Sequence, residues 1–326
     1  ASKLSYTLWG SMPDDELLAA ASDGLDDARF RGELERMVDD PRTSDYLWRF
    51  YGEHFGIDNW SADPSPSAFP AWEPGVGDSM IREVRVLVDD ALADDGNIGT
   101  ILTSNEAWVD APLARLYGLD IEPGQERVAL PEGRAGLLTR VGFLASQSSG
   151  GQPDPIHRGL FVTLRLLCRE LPSPPNLDFA AFEFVGATNR ERVESVTHQP
   201  GCASCHERLI NPPGFMLEHF DAIGRLREED GGFAVNPTAT MSLPDGSDVT
   251  LTGGVALSEF LADRPEVHAC FTRRLFEFRS GRLVTEADEG LLQDLTDASV
   301  QGMSIRDLTI AHLTRPEFAL RGEEVP

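Results

Sequence analysis

Lysine is almost missing from this 326-residue chain: Lys3 stands alone, and every other cationic side chain is Arg. Asp and Glu number 54 against 28 Lys and Arg, a formal net charge of −26. A field of that sign repels a phosphate backbone, so nucleic acid is excluded from the expected partners. An acidic surface of this kind suits an extracellular or salt-adapted protein as well as an ordinary solvated one. No apolar run approaches the roughly 18 residues of a membrane span, so none is expected. No Lys- or Arg-led apolar leader opens the chain, so no signal peptide is expected in it. G-x-S-x-G, H-E-x-x-H and phosphate loops are also missing. Cysteine is scarce, with Cys168, Cys202, Cys205 and Cys270 making four. So low a count excludes a disulfide-built mini-scaffold, and an even one fits an oxidising compartment with one structural bridge.

What is present is the composition of a folded protein, 41% hydrophobic and 25% charged. The pattern reads as mainly α: multi-helix modules with a small β-hairpin region. Pro13 and three acidic residues precede Leu17, Leu18 and Ala21, a helix start. Phe30, Leu34, Met37 and Val38 share a helical face, as do residues from Tyr46 to Phe55 and from Met80 to Leu92. All five Trp lie between Trp9 and Trp108 and predict an aromatic core there. Asn105 to Trp108 is expected to open a helix that ends near Gly118. Proline-rich loops are expected at 61–78 and 120–133. Helices are expected from Arg134 to Ser148 and from Arg158 to Leu171, with a loop at Gly150 between them and a break at Pro172, Pro174 and Pro175. Residues 176–200 look irregular. Alternating Phe233, Val235, Met241, Leu243, Val249 and Leu251 predict short strands. Three helical pieces are expected from Val255 to Phe318. The expected modules are 1–125, N-terminal and helical; 126–262, carrying the cysteine motif; and 263–326, C-terminal and helical.

Cys202-Ala203-Ser204-Cys205-His206 is a C-x-x-C-H pentapeptide, the attachment signature of haem c. Two thiols so spaced can reach the vinyl groups along one porphyrin edge, and the following imidazole becomes the proximal axial ligand. A thioredoxin-like pair would need a strand before it, where Gln199-Pro200-Gly201 stands. A zinc site would need a second ligand pair, and none is visible. A local disulfide is the remaining alternative. The expected cofactor is therefore one haem c on Cys202 and Cys205, with His206 on the iron. His198 and Met216 rank level as distal ligands, beside His219, His268, His312, Met241, Met303 and a five-coordinate iron. Asp221, Asp230, Asp245 and Asp248 are oxygen ligands of the type calcium takes. Cys168 and Cys270, on apolar helix faces outside the motif, are expected to form a disulfide, with two buried free thiols as the alternative.

A wider set of residues resembles a known family. The run Ala1 to Tyr6, Trp9, and Ser11 to Leu18 resembles the opening of large secreted planctomycete and myxobacterial proteins built of consecutive domains of unknown function. The similarity continues through Ala135 to Thr139, His157-Arg158-Gly159, Leu167-Cys168 and Leu171-Pro172. It is strongest from Cys202 through Cys205-His206, Asn211-Pro212, Gly214-Phe215, Leu217-Glu218, Phe220-Asp221 and Gly224-Arg225, and it ends with Phe278, Gly281-Arg282 and Phe318. Members commonly carry Asp where this chain has Asn211, and often a residue other than Met at the position of Met216. The resemblance implies an exported cytochrome c-like protein.

The expected function is thus electron transfer by a monohaem c-type cytochrome, with peroxidase-like or other oxidoreductase chemistry at the iron as its extension. A redox partner protein or a small-molecule electron donor or acceptor would be the partner. The expected location is the periplasm, cell surface or extracellular space. The rival function is a secreted binding or structural module for polysaccharide or protein, without haem.

Overall fold

The computed structural model describes all residues except 61–67, 94, 123, 150, 174–182, 316–317 and 319–326. Parts of the loops expected at 61–78 and 120–133, Gly150, Pro174, Pro175 and the first residues of 176–200 lie outside the described residues. The fold is mainly α-helical, with small two-stranded antiparallel ladders. It divides into two compact units. One comprises Ala1–Gly56, Val88–Ile98 and His268–Pro326, the other Ile57–Leu87 and Gly99–Val267. No helix of the described residues is long and apolar enough to cross a membrane.

In the first unit, aspartates start the helices. Asp14, Asp26 and Asp40 sit in extended backbone and accept hydrogen bonds from the amides of Leu17, Arg29 and Arg42. Each satisfies an orphan donor at the head of a helix, worth about 1 kcal/mol. The helices that follow are Asp15–Asp23, Asp27–Val38 and Pro41–Phe55. They turn Leu17, Leu34 and Met37 into a core shared with Leu4, Leu8, Trp9, Ile310 and Leu313. Phe50 packs against Tyr51, His54, Phe271 and Phe278, ring to ring. The five Trp are divided between the units, with Trp9 and Trp48 in this one and Trp60, Trp72 and Trp108 in the other. From Gly253 onward the described residues form four α-helices where three helical pieces were expected: Gly253–Ala262, Pro265–Ser280, Glu289–Val300 and Ile305–Leu313.

In the second unit, buried charge overrides helical periodicity. The expected helix from Arg134 to Ser148 is a 3-10 turn, Leu137–Thr139, then a helix, Val141–Ser146. Arg140 between them is extended, at φ −75 and ψ 144. Its fully buried guanidinium reaches Glu83 at 2.9 Å and the Glu106 carbonyl at 2.6 Å. Tyr117 donates its hydroxyl to the same Glu83 oxygen at 2.6 Å. That Glu106 carbonyl sits on a strand, Glu106–Trp108, paired with Arg127–Ala129, where a helix start was expected. The helix begins later, at Ala111–Tyr117, capped by Asp110 and ended by Gly118 in the left-handed region. The expected hairpin is present as Thr238–Ser242 against Asp248–Thr252, with Met241 opposite Val249 and Ala239 opposite Leu251.

Candidate functional site

The C-x-x-C-H motif lies in the second unit, at the junction of three short helical stretches. The first is Asn189–Thr197, a helix inside a segment expected to be irregular. Its start is a capping box: Thr188 Oγ1 accepts from the Glu191 amide at 3.2 Å, and Glu191 accepts from the Thr188 amide at 3.3 Å. The Thr-x-x-Glu spacing was a readable signal for this helix. His198 ends it, and Gly201, at φ +94, turns the chain into Cys202.

Cys202, Cys205 and His206 then occupy one helical turn. The His206 amide bonds to the Cys202 carbonyl at 3.1 Å. Residues three and four apart in such a turn share a face, so both thiols and the imidazole emerge on the same side. Both cysteines are half-buried and free, not joined to each other. Past His206 the helix widens. His206–Ile210 is a π-helical stretch in which the Asn211 amide bonds to the His206 carbonyl, five residues back. Pro212 and Pro213 have no amide hydrogen to give and stand in the first turn of the next helix, Asn211–Phe215. Thr163 Oγ1 donates to the Leu209 carbonyl at 2.8 Å, occupying an acceptor within the widened turn.

The widened turn sets residue 211 beside residue 206. His206 Nδ1 lies 2.9 Å from Asn211 Oδ1, and Asn211 Nδ2 lies 2.7 Å from Thr197 Oγ1. Proton counting fixes every role. The Thr197 hydroxyl already donates to the Val193 carbonyl at 2.8 Å, so toward Asn211 it must accept. The Asn211 amide group therefore faces Thr197 and its carbonyl faces His206. A carbonyl only accepts, so Nδ1 carries a hydrogen, and in the neutral ring the lone pair is on Nε2. No described residue hydrogen-bonds Nε2. Asn211 is 1% exposed, which holds the relay rigid. Metal-ligating histidines are oriented in this way, by a partner on the other ring nitrogen.

Two glycines allow the site's base to close. A Cβ on Gly159 would fall 1.6 Å from the Ile210 carbonyl oxygen, and one on Gly214 would fall 1.8 Å from that of Pro155. The helices Pro155–Phe161 and Asn211–Phe215 thus pack backbone on backbone. Beside Gly159, the buried Arg158 donates to the carbonyls of Leu217, Phe220, Leu144 and Asp221 at 3.0–3.1 Å. Burial pushes its pKa down to about 10, with Glu218 opposing. Composition and periodicity carry no sign of this role, nor of the parts played by Thr197 and Thr163. The helix expected from Arg158 to Leu171 starts at Pro155 and continues only as a π-helical stretch to Leu166. Cys168 lies beyond it, at φ +47, rather than on a helix face.

The other expected residues are scattered. His198 is exposed and Met216 fully buried. Met241 is buried in the hairpin. His219 is partly buried, which lowers its pKa, and Arg227 adds to the effect. His268, Met303 and His312 belong to the other unit. There His268 Nδ1 is 2.7 Å from Ser299 Oγ. The four aspartates keep separate partners. Asp221 accepts from the amides of Ile223 and Arg225, Asp230 pairs with Arg227, Asp245 accepts from Ser247, and Asp248 pairs with Arg208. Among the described residues no group of three His, Cys, Asp or Glu side chains could hold a bare metal ion. Cys168 and Cys270 are disulfide-bonded.

Fold and site together define a mainly helical protein that presents two free thiols and an oriented imidazole on one turn. Comparison with protein families divides it further. Residues 1–119 match a family of proteins of unknown function, DUF1592; residues 134–230 match another, DUF1588, labelled PSCyt3; and residues 247–318 match a third, DUF1585. The C-x-x-C-H turn and its Asn211 relay fall within the DUF1588 match. No curated protein and no solved structure matches the chain.

Proposed function

We propose that this chain is a monohaem c-type cytochrome of an oxidising compartment outside the cytoplasm. The carrying observation is the Thr197–Asn211–His206 relay, which holds Nδ1 protonated and leaves Nε2 free beside two free thiols. The donor set fits a covalently held haem: each thiol adds its S–H across one vinyl group, and the imidazole supplies a neutral nitrogen for the iron. Bound there, the haem would supply one-electron chemistry. The chain's own part is to hold His206 in one tautomer and one orientation. Asn211 offers a neutral carbonyl to Nδ1, so no carboxylate draws that proton away. The disulfide at Cys168 and Cys270 and the label of the DUF1588 family support the same reading. The electron would pass to a redox partner protein or a small-molecule acceptor.

Expression in a host that matures c-type cytochromes tests this. Intact mass should show one haem per chain, with a pyridine haemochrome spectrum of the two-thioether type. A Cys202→Ala, Cys205→Ala double variant should lose it. An unmodified mass from that host overturns the proposal and leaves a haem-free binding module.

A further inference from the structure

The turn that sets Asn211 beside His206 is held from outside its own helix. In an α-helix each carbonyl takes the amide four residues on. For Arg208 and Leu209 those amides would come from residues 212 and 213, and both are proline. The last amide before them, that of Asn211, bonds to the His206 carbonyl, five residues back. The extra residue in the turn is what brings Asn211 Oδ1 to 2.9 Å from His206 Nδ1. The prolines thus permit the widening, but they leave the Leu209 carbonyl without its α-helical donor.

Thr163 supplies a donor in its place. Its hydroxyl donates to the Leu209 carbonyl at 2.8 Å. A helical Thr ordinarily turns its hydroxyl onto a carbonyl three or four residues back in its own helix. Thr163 gives it to a neighbouring stretch instead, and Gly159, one turn earlier, allows the close approach that this needs. Thr163 is itself fixed. It is 1% exposed, its carbonyl accepts the Arg169 amide at 2.9 Å, and the Arg169 guanidinium donates to the Ser242 carbonyl at 2.6 Å. It stands in a widened turn of its own, Val162–Leu166, where the Leu167 amide bonds to the Val162 carbonyl at 3.0 Å. One hydroxyl therefore pins two widened turns to each other, and turns of this kind are frequent at functional sites.

We infer that Thr163 is a positioning residue for the His206 imidazole, acting through the Leu209 carbonyl. Its hydroxyl hydrogen goes to the backbone, not to the ring or the thiols. It fixes the widened turn, and the turn fixes the register in which Asn211 meets Nδ1. With haem attached, a firmly held Nδ1–H bond makes the imidazole a stronger donor to the iron and favours the oxidised state. Only this consequence rests on the haem reading. The orientation of the ring in the haem-free chain does not.

Nitrogen-15 imidazole shifts of the full, haem-free chain test this. Thr163→Val removes the hydroxyl and keeps the side-chain shape. The two His206 nitrogen shifts should draw together by on the order of a tenth of their separation in the parent, as the second tautomer becomes populated. Thr163→Ser keeps the donor and should restore the parent shifts. Val109→Ala, in a core of the same unit, should lower stability and leave the shifts alone. Thr163→Ala lacks the same hydroxyl and keeps the test valid if the Val variant folds poorly. In haem-loaded protein the reduction potential should rise in Thr163→Val and return to the parent value in Thr163→Ser. The inference is overturned if a folded variant without the hydroxyl keeps the parent shifts, if Val109→Ala moves them as far, or if Thr163→Ser fails to restore them. Failure to attach haem would sink the cytochrome reading and leave these shifts to decide the role of Thr163.

Discussion

His206 gives its Nδ1 hydrogen to Asn211 Oδ1, 2.9 Å away, and the Asn211 amide passes the constraint on to Thr197. Asn211→Leu should break both bonds while keeping the volume. In the haem-free chain, nitrogen-15 imidazole shifts should report one Nδ1–H tautomer for the parent and a mixture for the variant. The buried Thr197 hydroxyl would lose one bond and His206 another, a destabilisation of about 1–3 kcal/mol. A single unchanged tautomer in the variant would show that something other than Asn211 orients the ring.

The two glycines between the site helices should be intolerant of one added methyl. Gly214→Ala places a carbon where the Pro155 carbonyl oxygen stands, 1.8 Å away, and no flexible side chain is there to yield. Urea unfolding should show a loss of at least about 1–3 kcal/mol, the cost of overpacking with backbone movement. Gly290→Ala is the contrast. Nothing lies within 4 Å of that Cβ, on the helix Glu289–Val300, and the backbone there is not left-handed. It should stabilise by about 0.5–1 kcal/mol through the unfolded chain's lost freedom. Equal effects at the two positions would refute the close approach.

The cysteines make a count that can be checked directly. Cys168 and Cys270 are bonded, and Cys202 and Cys205 are free. Haem-free protein, denatured without reductant, should therefore titrate as two thiols and, after reduction, as four. Four before reduction would remove the bridge, and with it one support for an oxidising compartment.

Chemistry that sits in consecutive residues was legible in the sequence, and chemistry assembled across the chain was not. Cys202, Cys205 and His206 stand at a spacing with one strong meaning, and the helices with clean apolar periodicity, such as Val76–Leu92, are found where expected. The errors fall where a polar side chain is buried. Arg140 broke an apolar run because its charge had to reach Glu83, and a periodicity count treats Arg as a surface residue. Arg158 binds four carbonyls from two separate stretches, one at Leu144 and one from Leu217 to Asp221, a role that no local pattern encodes. Asn211 comes level with His206 only because the helix between them is widened, and helical spacing of four would have missed it. Cys168 was placed on a helix face by counting residues to Pro172, yet the widened turn Val162–Leu166 ends the helix first.

His312 should dominate the upper part of the chain's acid sensitivity. It is 5% exposed, and burial, reinforced by Arg279, Arg282 and Lys3 and opposed by Asp288, brings its pKa from 6.5 down to about 3. Unfolded, the ring accepts a proton below about 6.5, whereas folded it refuses one until about 3. Its contribution to stability is thus complete above pH 6.5 and is lost as the pH falls, at up to about 1.4 kcal/mol per pH unit. Asp14 and Asp288 act in the same direction but lower down. Arg36 and Arg282 hold them well below the usual range, so their share is lost only as the unfolded carboxylates begin to protonate near pH 4. His157 acts oppositely, since Asp154 raises its pKa and its contribution is lost as the pH rises. His219, lowered by burial, adds to the loss on acidification. Subtraction isolates the one ring. His312→Phe keeps an aromatic side chain beside Phe276, whose ring centre is 4.9 Å from that of His312, and removes the titrating nitrogens. Between pH 6.5 and 5, urea unfolding of the parent should lose about 2 kcal/mol more than the variant does. Parallel slopes for the two proteins over that interval would mean that His312 takes up its proton while still folded.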